Sequence, residues 1–441
     1  MMRILYFLFK IFLQYPFRLF FPRIKLHNAP KRWYGRTIYV SNHASSFLDP
    51  IIIGVLQRPI VFFMTRSDVF KSYIKPITWA VHMLPIYREQ DGEDTKSKNF
   101  EVFQKCTRIL SHGRNLLIFG EGFTDDVFVR RLKPVKKGAA RIGFQTLETL
   151  NWSKKIYMAA IGINYGDPKF LGSDLVISNS DRFCLNDYKE MYLENPAKAI
   201  TEVTKRVELL MQEQLTHVEN KDWVFFHEQI CRLRRNGLNI HDTDFNIPLR
   251  TRWENSKKLA HWINEQDLQN NAALQELKEE LDSYFKLQKR MKLEEKFVYE
   301  LASNEKFNFG QHIIKLIVGA VFVPLGLVQF YVPYTFVKSF VEKSFKRDVF
   351  WSSVKIMMGA LVLALWNVPI TILLDKFIIH NSLIAWVYFF ISPFIGLITY
   401  LWFRELKMYK TKKVLAKMDL SAILKRRENL VTKIENLVPK I

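Results

Sequence analysis

Cysteine is scarce in this chain, with only Cys106, Cys184 and Cys231 among 441 residues. That excludes a disulfide scaffold and fits a reducing compartment, and the spacings match no zinc pattern. Acid is missing from residues 1–40, where Arg3, Lys10, Arg18, Arg23, Lys25, Lys31, Arg32 and Arg36 stand without a counter-charge. Internal repeats and low-complexity linkers are also lacking. With 49% hydrophobic residues the chain is not a disordered one. Its length allows two to four domains at roughly 100–200 residues each. A net charge of +22 would suit nucleic acid, acidic proteins or membranes alike. No nucleic-acid recognition motif accompanies it, so nucleic acid is not an expected partner.

The charge is local. Besides the N-terminus it gathers at Arg130, Arg131, Lys133, Lys136, Lys137 and Arg141, in residues 338–348, and in residues 404–441. Two of these blocks border runs without any charge: Leu316–Val337, Ile356–Leu374 and Leu383–Phe403. Each run meets the roughly 20 residues that a bilayer crossing needs. Trp386, Tyr388, Tyr400 and Trp402 near the ends of the last run suit interface anchors. Basic flanks are expected on the cytoplasmic side, which makes 356–374 and 383–403 a hairpin of spans. The run 316–337 then has basic or charged flanks on one side, and Pro324 and Pro333 interrupt it. It is expected to be broken or re-entrant, with three ordinary spans as the competing arrangement. Ile4–Pro22 is aromatic and basic, interrupted by Lys10 and Arg18, and no small-residue cleavage site follows. It is expected to lie on the membrane surface as an anchor rather than to act as a signal peptide.

Between these ends the text alternates. Thr37–Ser41, Ile60–Met64, Leu116–Phe119, Ile156–Asn164 and Asp174–Ser178 read as buried strands, with helical patterns near 44–57, 94–112 and 135–149. This predicts an α/β layer, a mixed sheet flanked by helices. Strand signals then nearly vanish, and long helical stretches such as Ala197–Glu219 and Ala272–Glu300 follow. The expected organisation is an interfacial segment (1–34), an α/β domain (35–194), a helical region (195–310), C-terminal transmembrane helices (311–403) and a basic cytoplasmic tail (404–441).

One turn carries candidate chemistry. The first strand ends in Ser41-Asn42-His43-Ala44-Ser45-Ser46-Phe47-Leu48-Asp49-Pro50. Asp49 can return beside the His43 ring and orient it, leaving the other ring nitrogen to take a proton from a hydroxyl. Alone, such a pair reads equally as a capping or core histidine. Further blocks follow in order: Leu84-Pro85-Ile86-Tyr87-Arg88, then Phe119-Gly120-Glu121-Gly122, the basic stretch 130–141, and Ala159-Ala160-Ile161-Gly162-Ile163-Asn164-Tyr165.

In that order, over about residues 35–180, the chain resembles the PlsC-type glycerolipid acyltransferase family. The resemblance implies an acyltransferase domain in which His43 and Asp49 are catalytic. It further implies that Arg88, Glu121 and Gly122 bind the acceptor. Arg130, Arg131 or Lys133 are candidates to replace a basic residue missing after the third block. The chain departs from the family at Gly120 and Ala160, where prolines are usual. Five residues separate His43 from Asp49, where four are commoner. The longer spacing is similar to a branch that includes glycerol-3-phosphate acyltransferases with C-terminal membrane helices. The expected partners are acyl-CoA or acyl carrier protein as co-substrate, a phosphorylated glycerol acceptor and membrane lipids. No metal or other cofactor is expected. An integral membrane enzyme with its catalytic domain on the cytoplasmic face is the expectation, against a degenerate lipid-binding scaffold or a different lysolipid acceptor.

Overall fold

The computed structural model describes residues 2–67, 70, 75–87, 95–122, 124–125, 127–239, 241–303 and 307–440. An eight-stranded mixed sheet forms the first layer: β1 (Arg23–His27), β2 (Thr37–Ser41), β3 (Val61–Arg66), β4 (Met83–Ile86), β5 (Asn115–Phe119), β6 (Tyr157–Tyr165), β7 (Asp174–Asn179) and β8 (Phe183–Cys184). The order is β1-β7-β6-β2-β5-β3-β4, with β8 antiparallel to β6. Pairing is parallel from β6 through β4, and only the β6–β7 join is antiparallel within the main row. Central strands β2 and β6 read as near-continuous apolar runs because helices cover both faces.

The helices of this part are α1 (Met2–Phe20), α2 (Leu48–Leu56), α3 (Lys75–Ala80), α4 (Thr95–Ser111), α5 (Gly138–Thr149), α6 (Lys189–Glu194) and α7 (Pro196–Gln214). On one sheet face Ile38, Val40, Leu116 and Met158 pack with residues of α4, α5 and α7 such as Leu110, Phe144 and Met211. On the other, Tyr39, Leu117, Ile161 and Ile163 pack with Phe17 and Phe21 from α1 and its exit and with Leu48, Ile52 and Ile53 of α2. The helix expected from residue 44 starts at Leu48, and residues 44–47 are left as turn. That turn is where the candidate chemistry sits.

The N-terminal segment differs from a purely interfacial one. Residues 23–27 are an edge strand parallel to β7, and Arg23 pairs with the buried Asp174 at 2.5 Å. Helix α1 has two faces. Tyr6, Lys10 and Phe17 are buried, while Ile4, Leu8, Ile11 and Phe12 are exposed. Lys10, counted above among the uncompensated cations, donates to Gly54 O at 3.0 Å and to Gln57 O. Those carbonyls close the C-terminus of α2, where backbone acceptors lack helical partners and a cation is favoured. Burial lowers the Lys10 pKa to about 8.

The rest of the chain is helical: α8 (Val224–Arg234), α9 (Leu249–Asn264), α10 (Ala272–Met291), α11 (Glu295–Ala302), α12 (Phe309–Ala320), α13 (Val323–Ser344), α14 (Trp351–Leu374), α15 (Ser382–Leu415) and α16 (Ser421–Leu437). The single helix expected over Ala272–Glu300 is two, because Lys292 takes a left-handed φ of 52° and turns the chain. Helices α14, with its flanking turns, and α15 are long and apolar enough to cross a membrane. Helices α12 and α13 are bent by 71° about residues 321–322, next to Pro324, which suits the first turn of the second helix. Residues 404–441 do not form a loose tail. Leu420, Ile423, Leu430 and Ile434 enter one core with α8, α10 and α11. Arg427 pairs there with buried Glu295 at 2.6 Å.

Candidate active site

The site begins where β2 runs out. Asn42 accepts the Ile163 N–H at 2.9 Å and donates to Ile163 O at 3.1 Å, so its amide replaces a rung of the sheet and pins the turn to β6. His43 then stands over Phe119, ring centroids 4.2 Å apart and 23° from parallel. Ser46 takes a φ of 50°, which reverses the chain into α2. Asp49 lies in the first turn of α2, fully buried, where the helix dipole favours a carboxylate.

Asp49 is the hub. Its Oδ2 lies 3.0 Å from His43 Nδ1 and accepts the Ser45 N–H at 2.8 Å, while Oδ1 accepts the Tyr165 hydroxyl at 2.7 Å. A carboxylate accepts, so Nδ1 carries the proton and Nε2 is the nitrogen able to receive one. Burial, and then the neighbouring Asp49, push the Tyr165 phenol well up, which keeps it a donor. Tyr165 was quoted in the fourth block without a role. Its signal was a polar tip ending an otherwise apolar strand. Asn42 was likewise quoted without one.

Glu121, at the end of β5, is 4% exposed. It accepts the His43 N–H at 3.3 Å and the Lys133 N–H at 3.4 Å, tying the histidine turn to the strap 127–133. Burial pushes its carboxyl up, against the pull of the Lys133 charge. Gly122 has a φ of 76°, and its N–H already donates to Phe119 O at 3.2 Å. That N–H is thus paired within its own turn. What lies over Gly122 is Lys136, whose Nζ would stand 2.8 Å from an added Cβ.

The departures at two family prolines have local reasons. Gly120 N–H donates to Ser41 O at 3.0 Å, and Ala160 N–H donates to Ser180 Oγ at 2.8 Å. A proline could make neither bond.

The remaining candidates divide. Lys133 lines the cleft and pairs with Asp125 at 3.0 Å. Arg131 lines it too, its Nε donating to Glu219 O at 2.8 Å. Arg130 lines the same cleft. Buried at 6% exposure, it donates to Tyr165 O, Gly166 O and Leu238 O and pairs with Glu228, bonds that join the sheet to the helical region. Arg88 lies outside the described residues. Asn42, His43, Glu121, Arg131 and Lys133, with Val127 and Phe128, line one open cleft. Among the described residues no three His, Cys, Asp or Glu side chains gather as metal ligands would.

A family model described as acyltransferase matches residues 23–164. No curated protein matches the sequence. Among solved structures the chain is similar to the crystal structure of the 1-acyl-sn-glycerophosphate (LPA) acyltransferase PlsC from Thermotoga maritima, with 17% sequence identity and a TM-score of 0.33. The match covers 46% of this chain and 79% of that one. The matched segment begins at the edge strand Arg23–His27, ends within β6 and holds His43, Asp49 and Glu121, so this third of the chain is similar to the acyltransferase family.

Proposed function

We propose that the chain is a membrane-bound O-acyltransferase that moves a fatty acyl group from an acyl thioester to glycerol-3-phosphate in phospholipid synthesis. The observation that carries this reading is the His43–Asp49 pair at 3.0 Å, with Asp49 held by Ser45 and Tyr165. A glycerol hydroxyl in the cleft gives its proton to His43 Nε2 as its oxygen attacks the thioester carbonyl carbon. The new C–O bond forms and the C–S bond breaks. The departing thiolate, on coenzyme A or an acyl carrier protein, takes the proton back from His43. No enzyme nucleophile is needed, and positioning of the two substrates contributes much of the rate. Lys133, with Lys136 over Gly122, supplies positive charge for the acceptor phosphate.

Membrane attachment is supported by α14 and α15. Both flanks of the bent pair α12–α13 touch the same body: His312 bonds Glu405 where α15 emerges, and residues 345–350 meet the catalytic domain. A re-entrant pair fits those contacts, with the catalytic domain and α16 together on the cytoplasmic side.

The test offers glycerol-3-phosphate and lysophosphatidate side by side, with acyl-CoA or acyl carrier protein, to the full chain in lipid vesicles. Products are read by mass spectrometry. Lysophosphatidate formed from glycerol-3-phosphate is expected. Phosphatidate alone would move the acceptor to lysophosphatidate. His43→Ala is expected to lower turnover by about 10²–10⁴-fold, and a folded variant that keeps its activity would sink the reading.

A further inference from the structure

The corner between α13 and α14, residues 345–350, reaches two loops of the candidate site and the loop that follows Tyr165. Arg347 Nη2 donates to Thr124 O at 2.7 Å, three residues past Glu121. The Phe350 ring lies 5.6 Å from that of Phe47, inside the turn between His43 and Asp49. Asp348 pairs at 2.6 Å with Lys169, on the loop that follows Tyr165. The corner is itself firmly built. Val349 is 3% exposed, the Trp351 indole donates to Phe345 O at 2.9 Å, and the Arg347 guanidinium lies 5.4 Å from the Phe350 ring centre.

We infer that this corner is a membrane-borne brace for the catalytic loops, with Arg347 as a positioning residue. The inference rests on the acyl-transfer reading of the cleft for its kinetic consequence. The route is short. Glu121 receives the N–H of His43 on one oxygen and of Lys133 on the other, so displacement at Thr124 passes into both walls of the cleft. Helices α13 and α14 pack against each other and hold the corner between them, with Lys355 of α14 paired to Glu342 of α13 at 2.8 Å. The brace thereby makes the order of a water-facing site depend on the membrane segments. An arginine suits the position because its planar fork can lie on Phe350 while donating to a carbonyl, which a lysine does less well.

The test uses the full chain in phosphatidylethanolamine–phosphatidylglycerol vesicles, as wild type, Arg347→Ala and Arg347→Lys. Amide hydrogen exchange is followed in residues 41–50 and 120–133, with peptides of α10 and α16 as reference. For Arg347→Ala, exchange in both loops is expected to rise about tenfold, the scale of one lost hydrogen bond, while the reference peptides stay unchanged. Turnover should fall by a similar factor with less change in the donor KM, and Arg347→Lys should recover part of both. Unchanged exchange in the two loops would overturn the brace, and so would a rise shared equally by the reference peptides. If the wild type transfers no acyl group to any acceptor, the functional reading fails by itself and the exchange result still decides the brace.

Discussion

In the proposed reaction His43 is the base, a base is only as good as the group that holds it, and one buried carboxylate has three duties around it. Asp49 orients His43, closes the turn through Ser45 N–H and accepts the Tyr165 hydroxyl. Removing the last of these leaves the other two in place. Tyr165→Phe is therefore expected to fold and to lose about 1.5–3 kcal/mol shared between stability and activity, the range for a hydrogen bond to a charged group. A thermal melt and steady-state kinetics on the same preparation apportion the loss. Asp49→Asn should cost far more turnover, about 10²–10⁴-fold, because the wrong nitrogen of His43 is then free to carry the proton. Gly122 is constrained differently. Its φ of 76° penalises any side chain, and a Cβ would meet Lys136. Gly122→Ala should lower stability by about 1–2 kcal/mol from the backbone alone, read as a shift of the denaturation midpoint. Displacement of Lys136 should raise the KM for a phosphorylated acceptor.

Between elements, the join of the strap 127–133 to the segment after α7 is pH-sensitive. His217 Nδ1 accepts the Leu132 N–H at 2.9 Å, which only the neutral ring can do. Burial, and then Arg131, lower its pKa to about 4. Unfolded, the same ring protonates near 6.5, so between pH 6.5 and 4 the unfolded chain binds more protons. The contribution of His217 is fully present above pH 6.5 and is lost as pH falls toward 4. His82 and His227, also pushed to about 4 by burial, act in the same direction. His217→Asn keeps an acceptor for Leu132 and does not titrate, so its melting temperature should fall less than that of wild type between pH 7 and pH 5. Equal slopes would refute the assignment. These joins mark where sequence reading ends. The turn from Ser41 to Pro50 was legible because base and orienter lie within one short stretch, and β2 and β6 because burial on both faces leaves an apolar run. Strand β1 was not, since its half-exposed Arg23 and Ile24 and exposed Lys25 sit in a basic, aromatic stretch that equally suits a membrane surface. The partners of Arg130 were not legible either, because its acceptors, Tyr165 O and Leu238 O, lie 35 and 108 positions away. Charge pattern can show that a cation is present, but not what has already claimed it.

For the whole molecule, in the membrane-bound enzyme proposed above, the question is which segments share a side of the bilayer, and packing constrains it more tightly than loop charge. Helix α16 is anchored in the helical region by the buried Arg427–Glu295 pair, with Tyr284 donating to the same carboxylate. Arg234 donates to Val438 O and Pro439 O. The end of the chain therefore lies with residues 224–302. The bend of α12–α13 meets α15 at Thr399, and Phe330 further along α13 meets it at Gly396. Those positions are five and eight residues before Arg404, or about 8–12 Å along the helix, which is less than half of a roughly 30 Å hydrocarbon core. Gln329 of α13 is held by Asn367 of α14 and by Tyr388 of α15, the kind of interhelical polar contact that fixes packing in lipid. With native Cys184 replaced by Ser, and Cys106 and Cys231 buried, single cysteines at Gln311, Lys346, Ser382 and Lys417 can be probed with a membrane-impermeant maleimide. A re-entrant pair predicts that Gln311→Cys, Lys346→Cys and Lys417→Cys label from one side and Ser382→Cys from the other. Three ordinary spans would put Gln311 and Lys346 on opposite sides. That single disagreement would remove the re-entrant pair. It would also remove the shared-side contacts that seat residues 345–350 against the catalytic loops.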